Sequence, residues 1–293
     1  MTAPASSSGS DVAEHTGELG ARFAAFDWTT TPLGPISTWP SDLRVAVGIC
    51  LTSRFPMLIW WGSEYVMIYN DGYRPMLGTK HPQALGSPGK DVWPEIWDSI
   101  GPMLDSVMSS GVATWSRDQK LMLERNGYLE ESYFTFSYSP ITVGSGEVGG
   151  VFTAVVETTD HVLSERRLGT LGVLSRRLGE APDAETVRRL AAAVLMSNPQ
   201  DHPLALMVDA RSLPESPRDL TVPEALQADV YAAATQAVTL RRQVHHDLPA
   251  PVHLENDPAG LAVAGLHALP ITLSGDDQMS EVLVIGQIGR AHV

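Results

Sequence analysis

Between Arg54 and Gly78 the chain reads Arg-Phe-Pro-Met-Leu-Ile-Trp-Trp-Gly-Ser-Glu-Tyr-Val-Met-Ile-Tyr-Asn-Asp-Gly-Tyr-Arg-Pro-Met-Leu-Gly, and this stretch constrains the fold more than any other. Two runs rich in aromatic and aliphatic residues, Met57 to Trp61 and Tyr65 to Tyr69, flank Gly62-Ser63-Glu64, the pattern of a tight β-hairpin. Asn70-Asp71-Gly72 then supplies side chains that bond their own backbone and a residue free to take positive φ. The chain is therefore expected to leave the sheet there and enter a short helical piece, Tyr73 to Leu77, that stops at Gly78.

The flanking segments extend this arrangement. Upstream, Leu43, Val47, Cys50 and Leu51 fall at helical spacing between Asp42 and Ser53, which predicts an amphipathic helix before the hairpin. The segment from Phe26 to Pro40 holds three prolines and two tryptophans and should be irregular, pinned by its rings. Downstream, Ile96, Ile100, Leu104 and Met108 repeat every four residues, so one face of a helix ending at Gly111 should be buried. Ala113 to Glu124 and Tyr128 to Ile141 read as strands joined at Asn126-Gly127, a strong hairpin signal. Phe134, Phe136 and Tyr138 alternate onto one face, and Val148 to Val156 is a fifth strand, apolar and β-branched. Strand, strand, helices, then three strands implies an α+β unit: an antiparallel five-stranded sheet with helices on one face.

Composition bounds the rest. The 293 residues suffice for two ordinary domains, and the net charge of −14 would repel a phosphate backbone, so nucleic acid is not an expected partner. No apolar run is long enough for a membrane span, and one cysteine, Cys50, allows no internal disulfide; a cytoplasmic location is expected. Cys50 reads as a small apolar core residue. Met1 to Gly20 is rich in Ser, Ala, Gly and acidic residues without periodicity, and residues 1–24 are expected to form a disordered tail.

Taken together, Tyr-Val-Met-Ile-Tyr-Asn-Asp-Gly-Tyr (65–73), Asp-Val-Trp-Pro-Glu-Ile-Trp (91–97), the Asn-Gly hairpin and Glu157-Thr-Thr-Asp160 resemble a PAS domain, in particular those that open bacterial multi-domain sensor kinases. The resemblance spans about half the chain and implies a PAS domain at 25–160. Its exit signature, Asp-x-Thr, is represented by Glu157 and Thr159, with the carboxylate kept but lengthened. Residues 161–180 follow as a connecting, signalling helix with Leu163, Leu168, Leu171, Leu174 and Leu178 among charged residues. In sensor proteins such a helix commonly pairs with its twin, so a homodimer through the connecting helix is expected; packing on its own domain is the alternative.

Residues 181–286 loosely resemble an incomplete GAF domain, a second α+β fold: helices at Ala184 to Ser197 and Pro223 to Gln243, and strands at Leu204 to Val208, Leu266 to Leu273 and Glu281 to Gly286. His245, His246 and His253 read as exposed histidines of a polar loop, not as a metal cluster. His246-Asp247-Leu248-Pro249 superficially resembles the phosphoacceptor box of histidine kinases, but Pro249 and Pro251 break the helix such a box needs. Gln287-Ile-Gly-Arg-Ala-His-Val293 can be written back as CAG ATC GGA AGA GCA CAC GTC, which resembles a sequencing adapter, so 287–293 is expected to be non-native sequence and the second domain to be cut short with apolar sheet surface uncovered.

No paired nucleophile and base, phosphate-binding glycine loop or metal-ligand spacing stands out, so the chain itself is not expected to be an enzyme. Cysteinyl-flavin chemistry is excluded because Cys50 precedes the hairpin, and a bilin attachment lacks a cysteine in the second domain. Haem is not expected either, since His81 beside Pro82 belongs to a turn. What remains is a cavity for a small molecule, with Met57, Ile59, Trp60, Met67, Tyr69, Asn70, Tyr73, Trp93, Trp97, Phe134 and Phe136 as candidate residues, although ordinary core packing explains the same residues. The expected role is sensory input to a two-component protein with a histidine kinase output. A phosphatase or cyclic-nucleotide output and a stand-alone binding or scaffolding PAS protein are the alternatives; a small-molecule enzyme is the weakest.

Overall fold

The computed structural model describes residues 17–127, 129–210, 222–253, 262–271 and 281–288. The chain divides into two compact units, residues 1–162 and 163–293.

The first unit opens with helix α1 (Gly17–Ala25), which corrects the expected tail: residues 17–24 are helical, and residues 1–16 lie outside the described residues. Local composition hid this because the ordering contacts are distant in sequence. Leu19 is fully buried, its N–H donates to both Asp71 carboxylate oxygens at 3.3 Å, and Glu18 Oε2 stands 2.6 Å from Arg74 Nη1. The segment 26–40 is irregular as expected, with two short 3₁₀ turns. Its tryptophans anchor it, Trp28 against Trp39 with ring centroids 5.0 Å apart.

Helix α2 (Ser41–Thr52) buries Leu43, Ala46, Val47, Cys50 and Leu51 and packs against the opening hairpin, β1 (Met57–Trp61) and β2 (Val66–Tyr69). Burial pushes the Cys50 thiol up to about 12, so it behaves as the apolar core residue that was read from the sequence. Tyr65 takes φ of 52° and joins the turn, leaving β2 one residue shorter than its apolar run. Asn70 caps the exit: its side chain accepts from the Tyr73 N–H, a 3₁₀ turn follows at 71–73, and α3 (Arg74–Leu77) ends at Gly78 with φ of 53°. Helices α4 (Gly89–Val92) and α5 (Trp97–Ser110) follow. The second buries Ile100, Leu104 and Val107 and closes on left-handed Gly111.

Strands β3 (Thr114–Glu124), β4 (Leu129–Thr142) and β5 (Val148–Glu157) complete an antiparallel sheet in the order β2-β1-β5-β4-β3. The last strand in sequence thus sits in the middle, between β1 and β4, and places the chain's exit near the sheet centre. The unit is α+β with five antiparallel strands and helices, as the sequence implied.

Helix α6 (Thr159–Gly179) runs across the division between the units. In the second unit the Arg166 guanidinium forks onto both Asp201 oxygens at 2.7 Å, while Asn198 Nδ2 donates to Asp201 at 2.9 Å. Burial works to raise the Asp201 pKa, but the Arg166 hydrogen bonds more than offset it and hold the carboxyl below its usual range. Helix α7 (Ala184–Met196), β6 (Ala205–Asp209), α8 (Glu224–Leu240), β7 (Val244–His253), β8 (Ala262–Ile271) and β9 (Glu281–Ile288) build a second antiparallel sheet in the order β6-β9-β8-β7.

Three sequence expectations change here. The stretch from Val244 to His253, expected to be a polar loop, is strand β7. It lies at the sheet edge, where Pro249 and Pro251 withhold no ladder hydrogen bond that the sheet needs, and its register slips between Asp247 and Val252. The sheet also carries a covering helix: α8 packs on β7, β8 and β9 with Leu226, Val230, Ala233, Ala234 and Ala237 fully buried. Strand β9 runs on to Ile288, because Gly265 and Val263 on β8 pair with Gln287 and Ile288. Residues 289–293 lie outside the described residues.

Candidate ligand cavity and its exit to the connecting helix

In an antiparallel sheet alternate residues share a face, and partners across a ladder point the same way. Leu58 and Trp60 on β1, Thr153 and Val155 on β5, Phe134, Phe136 and Tyr138 on β4, and Leu121 and Leu123 on β3 converge on one side. Tyr73, Met76, Trp93, Ile96 and Ile100 close that side from the helical segments, leaving a cavity of about 50 Å³.

Five of the candidate residues line it: Trp60, Tyr73, Trp93, Phe134 and Phe136. The others do not. Met57 and Ile59 have the opposite parity on β1, while Met67 and Tyr69 pair with Trp60 and Leu58 and share their face but lie beyond the end of the cavity lining. Trp97 packs edge-on against Trp60, ring centroids 6.3 Å apart. Asn70 is a structural lock: its Oδ1 accepts from the N–H groups of Met57 and Tyr73 at 3.1 Å, and its Nδ2 donates to the carbonyls of Ser53 and Phe55 at 2.9 and 2.7 Å. The missed lining residues on the strands, Leu58, Leu121, Leu123, Tyr138, Thr153 and Val155, are signalled by their place in the strand alternation.

The lining is uncharged. Burial pushes the phenol pKa of Tyr73 and Tyr138 above the ordinary value, so both remain protonated. The Trp60 indole donates to Thr153 Oγ1 at 3.0 Å, whereas Trp93 Nε1 is buried and makes no well-formed hydrogen bond, its one polar neighbour being the Tyr73 hydroxyl, whose ionised form the indole favours. His81 is not in the lining, and its Nδ1 is 2.8 Å from the Tyr69 hydroxyl.

A chain of contacts leads from this cavity to α6. Met76 lines the cavity, and three residues later the Thr79 N–H and hydroxyl both donate to the Arg125 carbonyl at 2.8 Å. A side chain on Gly78 would collide with that same carbonyl. Beside cavity residue Ile96, Glu95 Oε1 accepts from Lys80 Nζ at 2.6 Å and from the Glu124 N–H at 3.0 Å, fixing the β3 end from a second direction. The Arg125 guanidinium then grips both Glu157 oxygens at 2.8 and 2.7 Å and Glu130 at 3.0 Å. Glu157 accepts from the Thr159 hydroxyl at 2.9 Å, and that hydroxyl accepts from the Tyr133 N–H at 2.9 Å at the first residue of α6. Burial alone would loosen the Arg125 proton, but Glu157 and Glu130 more than offset it. Arg125→Ala should destabilise the first unit by about 2–3 kcal/mol, since it leaves two half-buried carboxylates unpaired. Urea unfolding of the variant checks this, and an unchanged midpoint would show that the fork contributes nothing.

In the second unit two of the histidines take local partners: His245 Nε2 lies 2.9 Å from Asp247, and His246 Nε2 lies 2.9 Å from Asp229. The segment His246-Asp247-Leu248-Pro249 is strand, not helix. Among the described residues no group of three or more His, Cys, Asp and Glu side chains is placed to hold a metal ion, and no helix is long and apolar enough to cross a membrane.

No protein-family model and no curated protein matches the chain. Solved structures similar to it include a sensory box sensor histidine kinase from Vibrio cholerae, 20% identical over 40% of this chain and 88% of that one, with a TM-score of 0.28. A PAS domain from Colwellia psychrerythraea is 13% identical over 40% of this chain and 98% of that one, with a TM-score of 0.32. The PAS domain of BvgS from Bordetella pertussis is 14% identical over 45% of this chain and 98% of that one, with a TM-score of 0.29. Similarity at this level assigns no function.

Proposed function

We propose that the chain is a signal-input module in which a PAS domain senses a small molecule and passes its state through α6 to a second, GAF-like domain and onward to an output of the histidine kinase type. The observation that carries this reading is the continuous path from a neutral buried cavity, through Thr79, Arg125 and Glu157, to the first turn of α6. In this reading the chain carries out no chemistry of its own; occupancy of the cavity shifts the helical wall and, with it, the carboxylate that starts the helix.

Ile100→Phe, which fills the cavity from α5, tests the sensing step. Amide exchange at the start of α6 should change along with that of the cavity wall. Altered exchange confined to the wall would remove the sensory reading.

The same module relays through a paired helix. Leu168 and Leu171 are exposed on α6, three residues apart and hence on one face, the kind of apolar strip that a second copy of the helix would cover. Leu171→Glu should convert a dimer to a monomer in sedimentation equilibrium, with circular dichroism unchanged. Association that survives this substitution would place α6 outside the dimer contact.

A further inference from the structure

Resting on the reading of the cavity as the sensing site, we infer that its ligand is a neutral molecule of about three to five non-hydrogen atoms bearing a hydrogen-bond acceptor, in chemical class a short ketone, amide or alcohol. Size gives the first limit. The space is about 50 Å³, and a cavity needs roughly 10–15 Å³ to hold one water. A ring the size of benzene needs about three times that space, and a close-packed interior does not yield it without displacing side chains.

Charge gives the second limit. The lining offers aliphatic side chains, aromatic rings, protonated phenols and the hydroxyl of Thr153, with no cation or carboxylate among them. An ion entering there would lose its hydration shell and gain no opposite charge.

The third limit is the poorly met donor. Trp93 is 2% exposed and its Nε1–H makes no well-formed hydrogen bond, with only the neighbouring Tyr73 hydroxyl near it, whereas the Trp60 indole in the same wall is satisfied by Thr153. A ligand oxygen that accepts a hydrogen bond from the Trp93 indole N–H removes the cost of a poorly met buried donor, an advantage of about tenfold over an isostere without an acceptor. The hydroxyls of Tyr73 and Tyr138 can donate to or accept from the same small molecule.

Acetone, acetate and xenon, offered to the full chain, separate these requirements: a neutral acceptor, its charged isostere and an apolar atom. Acetone should bind saturably and move downfield one indole N–H resonance, the one absent from Trp93→Phe, while acetate at equal concentration leaves it in place. Trp93→Phe should weaken acetone about tenfold, while xenon, which asks nothing of the indole N–H, still enters the widened cavity. If xenon enters but acetone fails to bind, or if acetate binds as well as acetone, the ligand class falls while the sensing cavity stands. If neither xenon nor acetone enters, the cavity reading falls with it. Should Trp93→Phe not fold, the acetone and acetate comparison at the wild-type indole resonances decides alone.

Discussion

Asn70→Ala should cost the first unit about 3–5 kcal/mol, as large an effect as any single polar change outside the cavity, because four hydrogen bonds end at once in a fully buried place. The Tyr73 N–H keeps a second acceptor in the Asn70 carbonyl at 3.1 Å, but the Met57 N–H and the Ser53 and Phe55 carbonyls lose the partner they have now. Asn70→Asp separates the two halves of this lock. The acceptor side survives, while an ionised carboxylate would face two carbonyl oxygens where an amide donated to both. The Asp variant should therefore be at least as unstable as the Ala variant at neutral pH. It should recover part of the loss on acidification, as protonation restores one donor. Urea unfolding at neutral and acid pH measures both, and equal losses at the two values would show that the carbonyl contacts do not matter.

Trp60→Ala should cost about 3–5 kcal/mol. The ring is 2% exposed, rests edge-on against Trp97, and packs so closely on Gly89 that a Cβ there would lie 2.5 Å from it. Removing it enlarges the cavity and strands the Thr153 hydroxyl, which loses its indole donor. Trp60→Phe keeps most of the packing and should cost about 1–2 kcal/mol, chiefly the lost hydrogen bond. A Phe variant as unstable as the Ala variant would mean that the polar contact, not the ring, holds this wall.

What could be read from sequence was local. The hairpin around Gly62, the cap at Asn70, the stop at Gly111 and the alternation of Phe134, Phe136 and Tyr138 each depend on neighbouring residues, and the fold follows them closely. Strand β7 was hidden because Pro249, Pro251 and four charged or imidazole residues mask the alternation that an edge strand can do without. Helix α1 was hidden because Asp71 and Arg74, which hold it, lie some fifty residues away. The cavity was half legible for a geometric reason: candidates chosen by ring size and flexibility include Met57 and Ile59, whose parity on β1 points away, and omit Leu123 and Thr153, whose parity points inward. Arg125 carries no local mark at all. Its meaning comes from Glu157, 32 positions later, which β5 brings alongside by running between β1 and β4.

The link between cavity and helix is tested most directly by a double-mutant cycle on amide exchange in the first two turns of α6, with Ile100→Phe filling the cavity and Arg125→Ala cutting the fork to Glu157. If the fork carries the signal, filling the cavity changes the opening free energy of those amides by about 0.5–2 kcal/mol in the wild type and leaves it unchanged in Arg125→Ala. Equal changes in both backgrounds would contradict the path through Arg125.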